Sequence, residues 1–141
     1  MIEISVRKKQ FFLVLLAVTF LCSCQKSNTA NPSSGLTVQG NVTLVVDVTH
    51  HYWGVPSIPV YIKFNTTQWL GKDSTKYDLM ARADHEGSVV FNHLGPGDFE
   101  IYSAGYDSIW GGYVLGYNTW TITKADANNT VYANVVVSEK F

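Results

Sequence analysis

GNVTLVVDVT, residues 40–49, is the stretch that decides the fold, because apolar and polar side chains alternate along it. Valines and a leucine fall on one parity, while threonines, an asparagine and an aspartate fall on the other, with Val45 as the apolar exception. A period of two residues is typical of a half-buried β-strand. The stretch therefore predicts a strand with one face in the core and the other toward solvent.

The same alternation continues along the chain and defines the fold class. Residues 60–64 place three apolar side chains inward and Lys63 outward, after prolines that cannot lie in the middle of a sheet. Further strands are predicted near residues 77–83, 88–91, 98–106, 113–123 and 131–138. About seven short strands, glycine-containing turns and no helical periodicity predict an all-β, antiparallel β-sandwich.

The N-terminal segment has the features of a secretory signal. Arg7-Lys8-Lys9 precede an apolar run, residues 11–21, that is shorter than the about 20 residues a transmembrane helix needs. Leu21-Cys22-Ser23-Cys24 closes this run and resembles the lipobox of bacterial lipoproteins, which implies cleavage before Cys24 and a diacylglycerol on its thiol. We expect a cleaved signal peptide over residues 1–23 and lipidation at Cys24. The alternative is a secretory signal without lipid.

The expected anchor places the protein in the cell envelope, because two or more acyl chains hold a protein stably on a membrane. In some Gram-negative bacteria, residues after the lipidated cysteine direct export to the surface, and such signals resemble Gln-Lys followed by acids. Here Gln25-Lys26 is followed by Ser27 and Asn28. We therefore expect attachment to the periplasmic face of the outer membrane, with surface display as the alternative.

Composition limits what the mature chain can do. Residues 24–35 are rich in Ser, Asn and Pro and are predicted to form a flexible tether before one domain, residues 36–141. Both cysteines lie in the N-terminal segment, so the domain has no thiol for disulfides, metal binding or catalysis. Removing residues 1–23 takes away three of ten cationic and one of eleven acidic residues, which leaves a net charge of −3. Nucleic acid is therefore not an expected partner.

A family likeness lies in residues 83–99, ADHEGSVVFNHLGPGDF. An Asp-x-x-Gly turn precedes a strand that ends in Phe91, and Leu-x-Pro-Gly precedes the aromatic Phe99. This phrase resembles the carboxypeptidase-regulatory-like domains, also called transthyretin-like or prealbumin-like, and their Cna-B relatives, from about residue 36 onward. The resemblance implies a non-catalytic module that supports, links or presents other domains. Parity and family position together predict a core of Val42, Leu44, Val46, Val60, Ile62, Phe64, Phe91, Leu94, Phe99, Ile101, Val135 and Val137.

Catalytic and metal-binding patterns are weak. No Ser-His-Asp order, nucleophile elbow or glycine-rich phosphate loop is present, so we expect no enzymatic activity, no catalytic residue and no cofactor. Zinc would need three or four ligands converging at about 2.0–2.2 Å, and the candidates are His50, His51, His85 and His93. Neighbouring residues on a strand point to opposite faces, so at most one of His50 and His51 could contribute if the strand continues through both. We predict no metal site, and we predict a tight turn at residues 84–87.

The aromatic residues give the most specific functional hypothesis. Trp53 and Trp69 have turn-like, polar neighbours and are predicted to be exposed. If both lie at one end of the sandwich, they would form a platform for a sugar ring or a protein partner. We therefore predict a non-enzymatic envelope lipoprotein that binds or assembles with a protein partner. The alternatives are a carbohydrate-binding accessory lipoprotein and a metal-dependent hydrolase.

Overall fold

The computed structural model describes residues 40–139, which form eight β-strands and two short 3₁₀ turns. The strands are β1 (Val42–His50), β2 (Trp53–Gly54), β3 (Pro59–Phe64), β4 (Leu79–Arg82), β5 (Ser88–Leu94), β6 (Gly97–Asp107), β7 (Gly112–Ile122) and β8 (Thr130–Val136). The 3₁₀ turns are Ser74–Lys76 and Lys124–Asp126. The predicted signal peptide, Cys24 and the tether lie outside the described residues. Between residues 40 and 139, no helix is long and apolar enough to cross a membrane.

The strands form two sheets that pack face to face, which confirms the all-β sandwich. In the first sheet β1 is central, with β5 antiparallel on one side and β8 on the other, and β2 extends the end of β1 as a short hairpin. The second sheet has the antiparallel order β4-β3-β6-β7. One pair departs from the antiparallel prediction, because β1 and β8 run parallel. The whole second sheet lies between them in sequence, so the chain has ample length to return in the same direction.

The core lies between the sheets and contains every side chain that the sequence predicts for it, from Val42 to Val137. β1 and β3 send alternate residues inward with a strict burial alternation, whereas β6 is buried on both faces from Phe99 to Ser103. Lys63 points outward as predicted and reaches the Asp78 carboxylate at 2.8 Å. Parity therefore predicts the buried face of these strands correctly.

The end of β1 has an unusual turn. His51 and Tyr52 connect the paired residues His50 and Trp53, and both connecting residues have positive φ, 50° and 70°. Two-residue hairpin loops with positive φ at both positions normally use Asn-Gly or Gly-Gly, because a side chain with a Cβ is strained there. His51-Tyr52 is neither of these pairs, which is why the short strand β2 is absent from the prediction.

Candidate functional site

The outer face of the second sheet, which points away from the core, is lined with aromatic side chains. Register aligns Met80 of β4, Tyr61 of β3, Tyr102 of β6 and Tyr117 of β7 in one row across the four strands. With neighbouring strands about 4.8 Å apart, this row is about 14 Å wide. Tyr61 and Tyr102 stack with their ring centroids 5.7 Å apart.

The connection between β3 and β4 adds a second aromatic layer to this row. Trp69 stacks on Tyr117 with centroids 5.0 Å apart and an interplanar angle of 6°. Tyr77 stacks on Tyr102 at 5.3 Å and 20°, and it also meets Tyr61 at 5.9 Å. Offset stacking at these distances stabilises aromatic pairs beyond the area they bury. We call Tyr61, Trp69, Tyr77, Met80, Tyr102 and Tyr117 the aromatic face.

A buried carboxylate fastens the connection to the sheet. Glu100 of β6 is fully buried, and both of its carboxylate oxygens accept the backbone N–H of Leu70 at 3.2 Å. The Tyr77 hydroxyl donates to Glu100 Oε1 at 3.1 Å and also lies 3.1 Å from the carbonyl oxygen of Gly71. Burial raises the pKa of Glu100 above the ordinary value of a glutamate, although the bonds from Leu70 and Tyr77 partly oppose the rise. The aromatic layer is thus held on a fixed polar attachment.

A second attachment lies where the connection enters β4. The Asp78 carboxylate accepts hydrogen bonds from the ammonium group of Lys63 and from the backbone N–H of Phe64, each at 2.8 Å. Asp73 caps the 3₁₀ turn by accepting the backbone N–H and the hydroxyl of Thr75. The connection therefore has hydrogen bonds at its middle and its end, and its rings are positioned before any ligand arrives.

Part of the aromatic face remains accessible in spite of this packing, although Tyr102 is buried. Trp69 is 43% exposed, Tyr117 52% and Met80 52%. Tyr106 and Tyr113 continue the same outward parity along β6 and β7, and their rings meet edge to face at 5.3 Å. Exposed tryptophan, tyrosine and methionine side chains grouped on one face are typical of recognition surfaces.

The two predicted binding residues do not form one platform. Trp53 is 64% exposed, as predicted, but it lies in β2 of the first sheet. Trp69 is also exposed, but it packs on Tyr117 of the second sheet. The sequence places Trp69 in a loop correctly, but Trp53 belongs to the short strand β2, and the ring partner of Trp69 comes from a strand distant in sequence. Tyr117 in particular carries no sequence signal beyond its outward parity.

The condition behind the prediction for His50 and His51 is not met, because β1 ends at His50. His50 and His51 do not diverge, because His51 leaves the strand with a positive φ and its ring comes to 4.1 Å from the ring of His50. Glu139 joins them, so one ligand atom from each of the three residues lies within 4.8 Å of the others. His85 and His93 are exposed and lie outside this group.

The turn at residues 84–87 forms as predicted. Asp84 accepts the backbone N–H groups of Glu86 and Ser88 through one carboxylate oxygen, at 2.9 and 3.0 Å. Gly87 adopts a φ of 86° next to the backbone of Val55 and Val48. The acidic side chain in this phrase therefore holds a turn, as expected for an Asx-type motif.

Comparison with known proteins gives little beyond the fold. No family model matches the chain, and no curated protein matches it. The chain is similar to the crystal structure of a Pseudomonas aeruginosa protein described as a "putative carbohydrate binding protein". The two are 14% identical over 69% of this chain and 90% of that one, with a TM-score of 0.42. A likeness at this level carries no argument about function.

Proposed function

We propose that this protein is a non-catalytic binding module of the cell envelope, anchored through Cys24, and that the aromatic face is its contact surface. The resemblance of residues 83–99 to the carboxypeptidase-regulatory-like phrase supports a module that links or presents other molecules. The observation that carries the proposal is the parallel stack of Trp69 on Tyr117, in which both rings remain about half exposed.

Rigidity makes this surface suitable for binding. An aromatic ring that is already held in place loses little conformational entropy when a ligand contacts it, so more of the contact energy appears as affinity. Leu70, next to Trp69, is tied to Glu100, and Tyr77 is tied to the same carboxylate. The outer layer of the aromatic face is therefore preorganised by one buried group of the sheet.

A protein partner is the ligand class we favour. Met80 extends the stacked rings on one side, and the edge-to-face pair of Tyr106 and Tyr113 extends them along the strands. Tyrosine, tryptophan and methionine are enriched in protein interfaces, where lysine and glutamate are depleted. A mixture of flexible thioether and aromatic side chains over several strands suits an irregular protein surface better than a regular chain of sugars.

A glycan is the second candidate, and one observation favours it. The Trp69 and Tyr117 rings are within 6° of parallel, so they present a flat surface of the kind on which the apolar face of a sugar ring can stack. The metal-dependent hydrolase that was the third alternative has no support from the aromatic face.

The test compares variants of the full-length protein in intact envelopes. A photoreactive residue in place of Met80 should capture a protein partner, and Trp69→Ala should abolish that adduct because it removes half of the stack. Trp53→Ala is the matched control, since it removes an equally large exposed ring from the other sheet. The loss expected for Trp69→Ala is about 2 kcal/mol of binding free energy, as for an interface hot spot.

The same variants distinguish the ligand classes. Retention of the purified protein on envelope polysaccharides, lost in Trp69→Ala and kept in Trp53→Ala, would favour the glycan. Adducts or retention that are equal in wild type and Trp69→Ala would contradict the aromatic face as the contact surface. Circular dichroism of each variant establishes that the fold is kept.

A further inference from the structure

We propose that His50, His51 and Glu139 form a binding site for a divalent transition-metal ion such as Zn²⁺, with Asp107 as the residue that orients His50. The site lies at the end of β1, apart from the aromatic face. Imidazole nitrogen and carboxylate oxygen are donors that zinc accepts, at bond lengths of about 2.0–2.2 Å.

A buried nitrogen with no partner carries the proposal. His50 is 2% exposed, and its Nε2 atom has no hydrogen-bond partner among residues 40–139. Its other nitrogen, Nδ1, lies 2.8 Å from Asp107 Oδ2, which is also buried. In the neutral tautomer in which Nδ1 donates to Asp107, Nε2 presents a lone pair. Leaving such an acceptor buried and unpaired costs free energy unless something binds there.

The nearest group to this lone pair cannot satisfy it. Glu139 Oε1 lies 3.4 Å from His50 Nε2, and a carboxylate oxygen is itself an acceptor. The same oxygen lies 3.8 Å from His51 Nε2. In a tetrahedral zinc site with bonds of about 2.1 Å, neighbouring ligand atoms lie about 3.4 Å apart. The two separations therefore suit a cation between the three groups, and His51 and Glu139 are each about half exposed, so they have room to adjust.

Asp107 provides the carboxylate partner that metal-binding histidines usually have. Histidines that bind metals usually donate their other N–H to a carboxylate, which fixes the tautomer and the ring orientation. Asp107 Oδ2 lies 2.8 Å from His50 Nδ1, and Asp107 Oδ1 accepts the backbone N–H groups of Ile109 and Trp110 at 2.8 and 3.3 Å. Asp107 therefore links β1 to the β6–β7 hairpin and fixes the orientation of the His50 ring.

The surrounding backbone brings the other two ligands into place. His51 takes its position through the strained turn after β1, and the ring of Trp110 meets it edge to face at 5.0 Å. Glu139 follows Ser138, whose N–H and C=O both pair with Leu115 of β7. The end of β1, the β6–β7 hairpin and the segment after β8 thus converge on one point.

The test is zinc titration of the full mature protein in detergent after treatment with a chelator, followed by calorimetry. We expect one Zn²⁺ per chain and a melting temperature that rises with zinc concentration, because a ligand that binds only the folded state stabilises it. His51→Ala and Glu139→Gln should each weaken binding at least tenfold. Asp107→Asn should weaken it about 10–100-fold, as loss of an orienting partner does.

Controls separate this site from adventitious binding. His85→Ala and His93→Ala remove the other two histidines and should leave the affinity unchanged. If His50→Ala fails to fold, His51→Ala and Glu139→Gln still decide the question, because both side chains are exposed. Binding weaker than about 1 mM would overturn the proposal. So would equal affinity in His51→Ala, Glu139→Gln and wild type, or a nuclear magnetic resonance titration in which His50 Nε2 carries a proton at neutral pH and zinc does not displace it.

Discussion

Replacing Glu100 by alanine should release the connection that carries Trp69. The substitution removes the acceptor of the Leu70 N–H. The Tyr77 hydroxyl can still donate a hydrogen bond to the carbonyl oxygen of Gly71. Leaving the Leu70 donor without an acceptor costs about 1–3 kcal/mol. Because the substitution also removes fully buried side-chain volume, we expect Glu100→Ala to reduce the free energy of unfolding by about 2–3 kcal/mol.

Hydrogen exchange measures this release directly. The Leu70 amide should exchange much faster in Glu100→Ala than in wild type, because its acceptor is gone. Glu100→Gln is the matched control, since it keeps the side-chain volume and a carbonyl oxygen for Leu70, and it should cost less than about 1 kcal/mol at neutral pH. Unchanged exchange of Leu70 in Glu100→Ala would refute the reasoning. Equal destabilisation by alanine and glutamine would show that the charge of Glu100, not its acceptor atoms, holds the connection.

The pH dependence follows from the same carboxyl. Because burial raises the pKa of Glu100 in the folded state, the folded protein retains a proton that the unfolded chain releases. The contribution of Glu100 is therefore fully present below the unfolded pKa and is lost as pH rises through the raised, folded pKa. Urea melts should show wild type gaining stability relative to Glu100→Gln on going from pH 7 to pH 4. A difference that does not vary with pH would contradict the raised pKa.

Three further predictions concern the anchor, the core and a turn. Cys24→Ala should move the protein from the membrane fraction to the soluble fraction and abolish lipid labelling, and unchanged membrane retention would contradict lipidation. Phe91→Ala or Phe99→Ala should cost about 3–5 kcal/mol in urea melts, because both rings are fully enclosed, and a loss below about 1 kcal/mol would show that neither ring is a core residue. Gly87→Ala should destabilise by more than about 2 kcal/mol, since its Cβ would meet backbone atoms at 2.6–2.8 Å. Gly71→Ala has a similar φ with nothing within 4 Å and should cost only about 1 kcal/mol, so equal losses at the two glycines would contradict the close approach.

The alternation of apolar and polar residues predicts the buried faces of the strands well. It separates inward Ile62 from outward Lys63, and it holds for β1 because side chains on a strand alternate regardless of which strands flank it. It carries no information on the direction or identity of a neighbouring strand. That is why the parallel pairing of β1 and β8 is not predicted, and why Tyr117 could not be named as the partner of Trp69.

The cluster of His50, His51 and Glu139 was not predicted, for a different physical reason. The alternation rule applies only while the chain stays extended, and His51 lies one residue beyond the end of β1. A turn of this type without glycine or asparagine gives no sequence signal. The polar residues 50 and 51 could be noted in sequence, but Asp107 joins them only through the packing of the two sheets, and Glu139 only through the parallel pairing of β8 with β1.

The parallel pairing of β1 and β8 also separates the start of the domain from the residues of the proposed metal site. The predicted tether precedes β1 in sequence, while His50 lies at the far end of that strand, and β8 runs alongside in the same direction toward Glu139. Nine extended residues rise by about 27 Å from first to last. If the proposed acyl anchor at Cys24 holds the protein on a membrane, an ion at the proposed site would therefore lie about one strand length from the end of the domain that follows the anchor.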